Sequence, residues 1–172
     1  MKPLIIISFI VLLLAGCTET KSNIPWYMKT FNEKGLDKKY QLDSFLKPSF
    51  IEADFNGDGT IDIALSISEK STNKKGILLI HNSSNAFYVF GAGTNFGNGG
   101  KDFNWIDNWE LYKEKTVFET QFDHETGDII GGKEILLAHT GIMAAQYEDG
   151  APIAGGIIYW TGKNYIWIHQ GE

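Results

Sequence analysis

Between residues 54 and 62 the chain reads Asp54-Phe55-Asn56-Gly57-Asp58-Gly59-Thr60-Ile61-Asp62. Oxygen-bearing side chains fall at loop positions 1, 3, 5 and 9, and glycine falls at position 6. Calcium is a hard cation that takes about six to eight oxygens, so a short turn can surround it only by pointing alternate residues inward. Asp54, Asn56, Asp58 and Asp62 are the candidate side-chain ligands, the Thr60 carbonyl is a fifth, and Gly59 supplies the sharp bend. Three aspartates crowded together repel one another, which favours a divalent cation at this turn. Magnesium suits it less, because it demands octahedral geometry and gives up water reluctantly. The expected cofactor is one calcium ion, pinning the turn rather than activating water.

Other chemistry-bearing residues carry weaker patterns. His81, His139 and His169 each end an expected strand, with no local spacing that would build a zinc site. The glycine-rich stretch 91–100 has neither the lysine-serine pair of a phosphate loop nor a helix after it, and reads as a tight turn. Asp102, Asp107, Glu110 and Glu119 would serve glycosidic chemistry only if the fold brought two of them to the right separation. There is no G-x-S-x-G elbow and no catalytic cysteine signature, so an enzyme is not the expectation. Of the five tryptophans, most suit a core, and Trp105 and Trp109 are the candidate ligand-facing aromatics.

The start of the chain specifies a location. Lys2 precedes an apolar run over residues 4–14, broken only by Ser8, and the small residues Ala15 and Gly16 follow, which is the layout of an export signal. The run is shorter than the roughly 20 residues a helix needs to cross a bilayer. Leu14-Ala15-Gly16-Cys17 resembles the lipobox of bacterial lipoproteins. That resemblance implies cleavage before Cys17, palmitate-type lipid on its thiol and attachment to a membrane in the cell envelope. Cys17 is the sole cysteine, so it has no disulfide partner within the chain. Thr18 stands where some inner-membrane lipoproteins carry a retention aspartate, which tilts the expectation towards the outer membrane.

Composition sets further limits. The 15 basic and 21 acidic residues give a net charge of −6, or −7 once the leader and its Lys2 are gone. Every basic residue is lysine, and with no arginine to grip phosphate or guanine, nucleic acid is not an expected partner. Residues 1–16 read as the signal, 17–23 as the lipidated cysteine and a polar spacer, and 24–172 as one domain.

Within that domain Pro25, Trp26, Tyr27 and Phe31 suggest a short helix stopped by Gly35. Apolar, β-branched runs then recur at 50–53, 61–67, 76–81, 86–90, 134–139, 156–160 and 165–169, with further strands expected near 109–112 and 117–122. Two stretches share one design of strand, loop and hairpin: 62–65 leading to 76–80 and 87–90, and 134–137 leading to 156–160 and 165–168. The expected fold is a mainly β, small single domain of antiparallel strands, with two strand-loop-hairpin units forming a blade-like or partly closed sheet and a short N-terminal helix.

Position 12 of the turn is Leu65, not the glutamate of an EF-hand, and a strand rather than a helix follows. Ala53 through Gly59, followed by Asp62-Ile63-Ala64-Leu65, instead resembles the FG-GAP or VCBS-type repeat of integrin-like β-propellers and secreted bacterial proteins. The resemblance implies a calcium loop joining two strands of a blade. A propeller needs about four blades or more, and this chain holds one copy of the loop. The resulting expectation is a lipid-anchored envelope protein with one structural calcium, working as a binding module for a protein or glycan partner. The alternatives are a small calcium-dependent envelope hydrolase or lyase, and an accessory or inhibitor subunit of a membrane complex.

Overall fold

The computed structural model describes residues 24–171 apart from His124. The signal, Cys17 and the spacer lie outside the described residues. The chain opens with helices α1 (Trp26–Glu33) and α2 (Leu36–Lys39), then strands β1 (Tyr40–Leu42), β2 (Phe50–Ala53), β3 (Asp62–Glu69), β4 (Lys75–Ile80) and β5 (Phe87–Gly91). A 3-10 turn (Gly97–Gly99) leads to β6 (Asn108–Tyr112), β7 (Thr116–Phe122), β8 (Ile129–Leu136), β9 (Gly141–Glu148), β10 (Ala151–Trp160) and β11 (Tyr165–Gly171). Strand covers 49% of the chain and helix 10%, so the class is mainly β, with antiparallel sheets that do not close.

The first sheet runs β1-β3-β4-β5, and β2 also pairs with β3. The N-terminal half of β3 meets β2 and its C-terminal half meets β1, with Ala53 opposite Asp62 and Leu42 opposite Ile67. The second sheet runs β11-β10-β9-β6, and β7 with β8 makes a separate hairpin. Three apolar clusters define the layers. Ile77, Leu79 and Phe90 of the first sheet pack with Trp109, Ile142, Ile158 and Trp167 of the second, so the two sheets lie face to face. Ile63, Leu65 and Ile67 point the other way, onto Phe31 and Leu36 of the helices. Ile157, Tyr159 and Ile168 leave the outer face of the second sheet to meet Val117 of the hairpin.

This layering explains why β3 is buried at every position. A strand covered on both faces reads apolar on both, as Ile63-Ala64-Leu65 does, while Asp62, Ser66, Ser68 and Glu69 are polar residues buried in the same strand. Each large aliphatic side chain so buried contributes roughly 1.5–3 kcal/mol.

The second half departs from the expected repeat. The hairpins β4–β5 and β10–β11 form where the sequence places them, but the third strand of the second unit is β9, not residues 134–137. Residues 134–136 belong to β8 and pair with β7, for example Ile135 with Val117, and Leu137 lies just beyond the strand. β9 is held by close packing of small residues: a Cβ on Gly155 would lie 2.6 Å from the Ala145 Cβ.

Trp167 depends on the same device. A Cβ on Gly156 would sit 2.2 Å from its Cε2 atom, because the indole lies flat against the β10 backbone. Gly156→Ala should therefore destabilise the fold by roughly 2–4 kcal/mol, as overpacking of a filled core does. Urea unfolding followed by tryptophan emission would check this, and an unchanged midpoint would contradict the packing described.

Candidate metal turn and its surroundings

The turn between β2 and β3 is anchored before any ion is considered. Phe55 is 1% exposed and plugs into the core between the sheets. Its backbone N–H donates to Asp62 Oδ2 at 3.2 Å. Asp54 folds back over the turn: its Oδ1 accepts from the Gly57 N–H at 2.7 Å and the Asp58 N–H at 3.1 Å, and its Oδ2 accepts from the Gly59 N–H at 2.8 Å. Asn56 Oδ1 accepts from the Asp58 N–H, and Asp58 Oδ1 accepts from the Thr60 N–H at 2.8 Å. Asp54, Asn56 and Asp58 thus cap the turn's own backbone donors.

Two carboxylates reach beyond the turn. The Ser83 hydroxyl and the Asn56 amide donate to Asp58 Oδ2, and the Asn82 N–H donates to Asp62 Oδ1 at 3.0 Å. The Ser83 and Asn82 bonds clamp the turn to the connection between β4 and β5. Helix α1 joins the same connection through the Thr30 hydroxyl, which donates to Asn85 Oδ1 at 2.9 Å. On another side the His139 imidazole lies against Gly57, whose Cβ, if present, would be 2.1 Å from the ring.

The electrostatics divide the acids by burial. Asp62 is 0% exposed, and burial pushes its pKa up against the pull of the Asn82 and Phe55 N–H groups and of His81, with the Asp58 charge adding to the rise. Asp58 is exposed, and the Ser83 hydroxyl leads a set of donors that bring its carboxyl down to about 2. Behind Asp62, the Tyr165 hydroxyl and His81 Nε2 lie 2.7 Å apart, sharing a hydrogen bond whose direction follows the histidine tautomer. Burial pushes the His81 imidazolium down, and burial with the charge of Asp62 pushes the Tyr165 phenol up, so both are neutral near pH 7. Tyr88 and Trp160 complete an aromatic cluster around this pair.

The donor set at the turn is all oxygen, which fits a hard cation. The fold brings Asp54, Asn56, Asp58 and Thr60 into one hydrogen-bonded turn and sets Asp62 behind it, facing the Phe55 and Asn82 backbone. Among the described residues no three His, Cys, Asp or Glu side chains converge as a metal centre. Coordination by Asp62 therefore requires it to share oxygens already held by N–H donors; each carboxylate oxygen has a second lone pair for that.

The aromatic expectation needs correction. Trp109 is 2% exposed and donates its indole N–H to the Pro48 carbonyl at 2.7 Å, so it is a core residue and faces no ligand. Trp105 is half-buried, donates to the Gly99 carbonyl at 3.3 Å and stands edge-on to Trp167. Of the four acids considered for catalysis, Asp102 accepts from the Lys75 and Asn104 N–H groups and Asp107 from the Tyr147 N–H, while Glu110 accepts from the Tyr147 hydroxyl and Glu119 from the Gln121 amide. Sequence spacing did not associate His81, Ser83 or His139 with the turn; the histidines' positions at strand ends were the only available signal. No family model, curated protein or solved structure matches the chain.

Two outcomes are expected. Gly57 holds a φ of +76°, where a side chain costs about 1–2 kcal/mol, and its contact with His139 adds a clash. Gly57→Ala should lower stability, and adding His139→Ala should recover the clash component but not the backbone one; strictly additive losses in urea melts would refute the contact. Separately, because the folded pKa of Asp58 lies below 3.8, its stabilisation is present above that value and is lost as pH falls towards about 2. Asp58→Asn should flatten the acid limb of a stability-against-pH curve in that window, and an identical limb would count against it.

Proposed function

We propose that the protein is a lipid-anchored binding module of the cell envelope, fastened by one calcium ion at the Asp54–Asp62 turn. The observation that carries this reading is the inward fold of Asp54, Asn56 and Asp58 over a buried, charge-strained Asp62. Asp54, Asn56, Asp58 and the Thr60 carbonyl would hold the ion, with Asp62 contributing from beneath. When bound, calcium supplies positive charge where Asp58 and Asp62 now repel each other. Phe55 fixes the turn to the core, and Ser83 and Asn82 keep the carboxylates aimed. This rigid turn unites β2, β3 and the β4–β5 connection, so the ion's role is structural. The Leu14-Ala15-Gly16-Cys17 segment supports the anchor, and among the described residues no helix is long and apolar enough to cross a membrane. Two or more acyl chains give stable attachment where one gives only marginal binding.

Calorimetric titration with calcium should give saturable heat with a dissociation constant of about 0.1–1 mM, the range of extracellular modules. At a hundredfold excess over that constant the fold should gain about 2.7 kcal/mol. Asp58→Asn should abolish both effects. Absence of heat, together with superimposable melts in calcium and chelator, would reject the calcium assignment; an unlipidated N-terminus by intact mass would reject the anchor independently.

A further inference from the structure

Charge is divided unevenly between the layers of the molecule. Residues 24–40, which hold both helices, carry four lysines and two acids, whereas residues 41–172 carry nine lysines and eighteen acids. A positive helix layer therefore covers a strongly negative body.

The packing of α1 and α2 turns the lysines outward. Phe31 and Leu36 face β3 and β4, while Lys29, Lys34, Lys38 and Lys39 are exposed. A fifth lysine joins them from the turn after β3. The Lys70 ammonium donates to the Asp37 carbonyl at 2.6 Å, and Lys38, Lys39 and Lys70 line one open depression. The acids nearby are mostly withdrawn. One carboxylate oxygen of Asp37 is closed to solvent, and Glu69, its side chain 11% exposed, turns to Lys39 at 3.5 Å and to the Thr72 hydroxyl. Glu33 is exposed and lies 3.8 Å from Lys29. Among the described residues no carboxylate comes within salt-bridge distance of Lys34, Lys38 or Lys70. These three ammonium groups give the face its net charge.

The start of the layer adds apolar surface. Ile24 is 61% exposed, and Trp26 and Tyr27, edge-on with ring centres 6.0 Å apart, are half-buried. Aromatic rings with a polar tip suit the boundary between headgroups and acyl chains, and lysine stems can lie along it with their ammonium groups among phosphates.

The point where the chain enters identifies the occupant. On the reading that Cys17 carries lipid, on which this inference rests, residues 17–23 link the bilayer to Ile24, and seven residues span at most about 25 Å. Ile24 opens the helix layer, so that layer is the part tethered directly to the lipid. A small soluble anion would satisfy the lysines but leave Ile24 and Trp26 unused; a bilayer surface meets both. Anionic headgroups attract the helix layer and repel the acid-rich body, which selects one orientation.

We propose that the α1–α2 layer docks on an anionic phospholipid surface through Lys34, Lys38 and Lys70. The β7–β8 hairpin, on the opposite side of the sandwich, is then the side presented to a partner.

Because Cys17 is the sole cysteine, the mature chain can be coupled there to a maleimide phospholipid, which makes the test independent of lipidation in the cell. The tethered protein would be placed at low ionic strength on vesicles of phosphatidylcholine, alone or mixed with phosphatidylglycerol. Brief acetylation read by mass spectrometry then reports each lysine. On the anionic vesicles Lys34, Lys38 and Lys70 should lose about fivefold or more of their reactivity, the factor that corresponds to the attraction of one lysine to such a surface. Lys113, Lys115 and Lys163, exposed on other loops, should react as in solution. High salt should restore reactivity at all three protected positions. Lys34→Glu combined with Lys38→Glu should expose Lys70 again. No protection, uniform protection of every lysine, or equal protection on neutral vesicles would each overturn the docking. A native N-terminus that carries no lipid by intact mass would instead overturn the anchor, a separate result. The main readout uses the unsubstituted protein, so a variant that fails to fold does not obscure it.

Discussion

A carboxylate with no access to water sits at the first residue of the central strand. Asp62 must give both oxygens to backbone donors, Phe55 N–H on one side and Asn82 N–H on the other, and those two bonds fasten the β2–β3 turn to the β4–β5 connection. An ionised group so placed is costly, and its raised pKa is the measure of that cost. The neighbouring Tyr165 and His81 are kept neutral by the same burial, so neither offers Asp62 a positive charge. The calcium ion proposed above would offset that cost.

The rest of the fold follows from β3 being enclosed. Its helix-facing side chains need α1 and α2, and its inner face needs the second sheet, which in turn is covered by the β7–β8 hairpin. The outward side of that hairpin is solvent-facing, with Phe118 62% and Leu136 78% exposed.

Periodicity made much of this legible. β2, β4, β5, β11 and the second half of β10 stand out as β-branched or aromatic runs, and the Asp, Asn and Gly residues of 54–59 mark a tight turn. β9 was not legible, because Gly-Ile-Met-Ala-Ala-Gln-Tyr-Glu has little strand propensity and is held by small-residue packing across the sheet. A signal did exist: Asp149 and Gly150 both take positive φ, the pair that closes a two-residue hairpin. Local spacing also could not show that Asp62 would be buried. Nor could it place His139 on Gly57, or find for Trp109 the Pro48 carbonyl that makes it a core residue.

The central claim concerns the state of one carboxyl group, and NMR titration of the Asp62 side-chain carbon with and without calcium reads it directly. The account predicts a pKa above the ordinary aspartate value in the calcium-free protein and a marked fall when calcium is added. An Asp62 that titrates at or below the ordinary value, with no response to calcium, would contradict it.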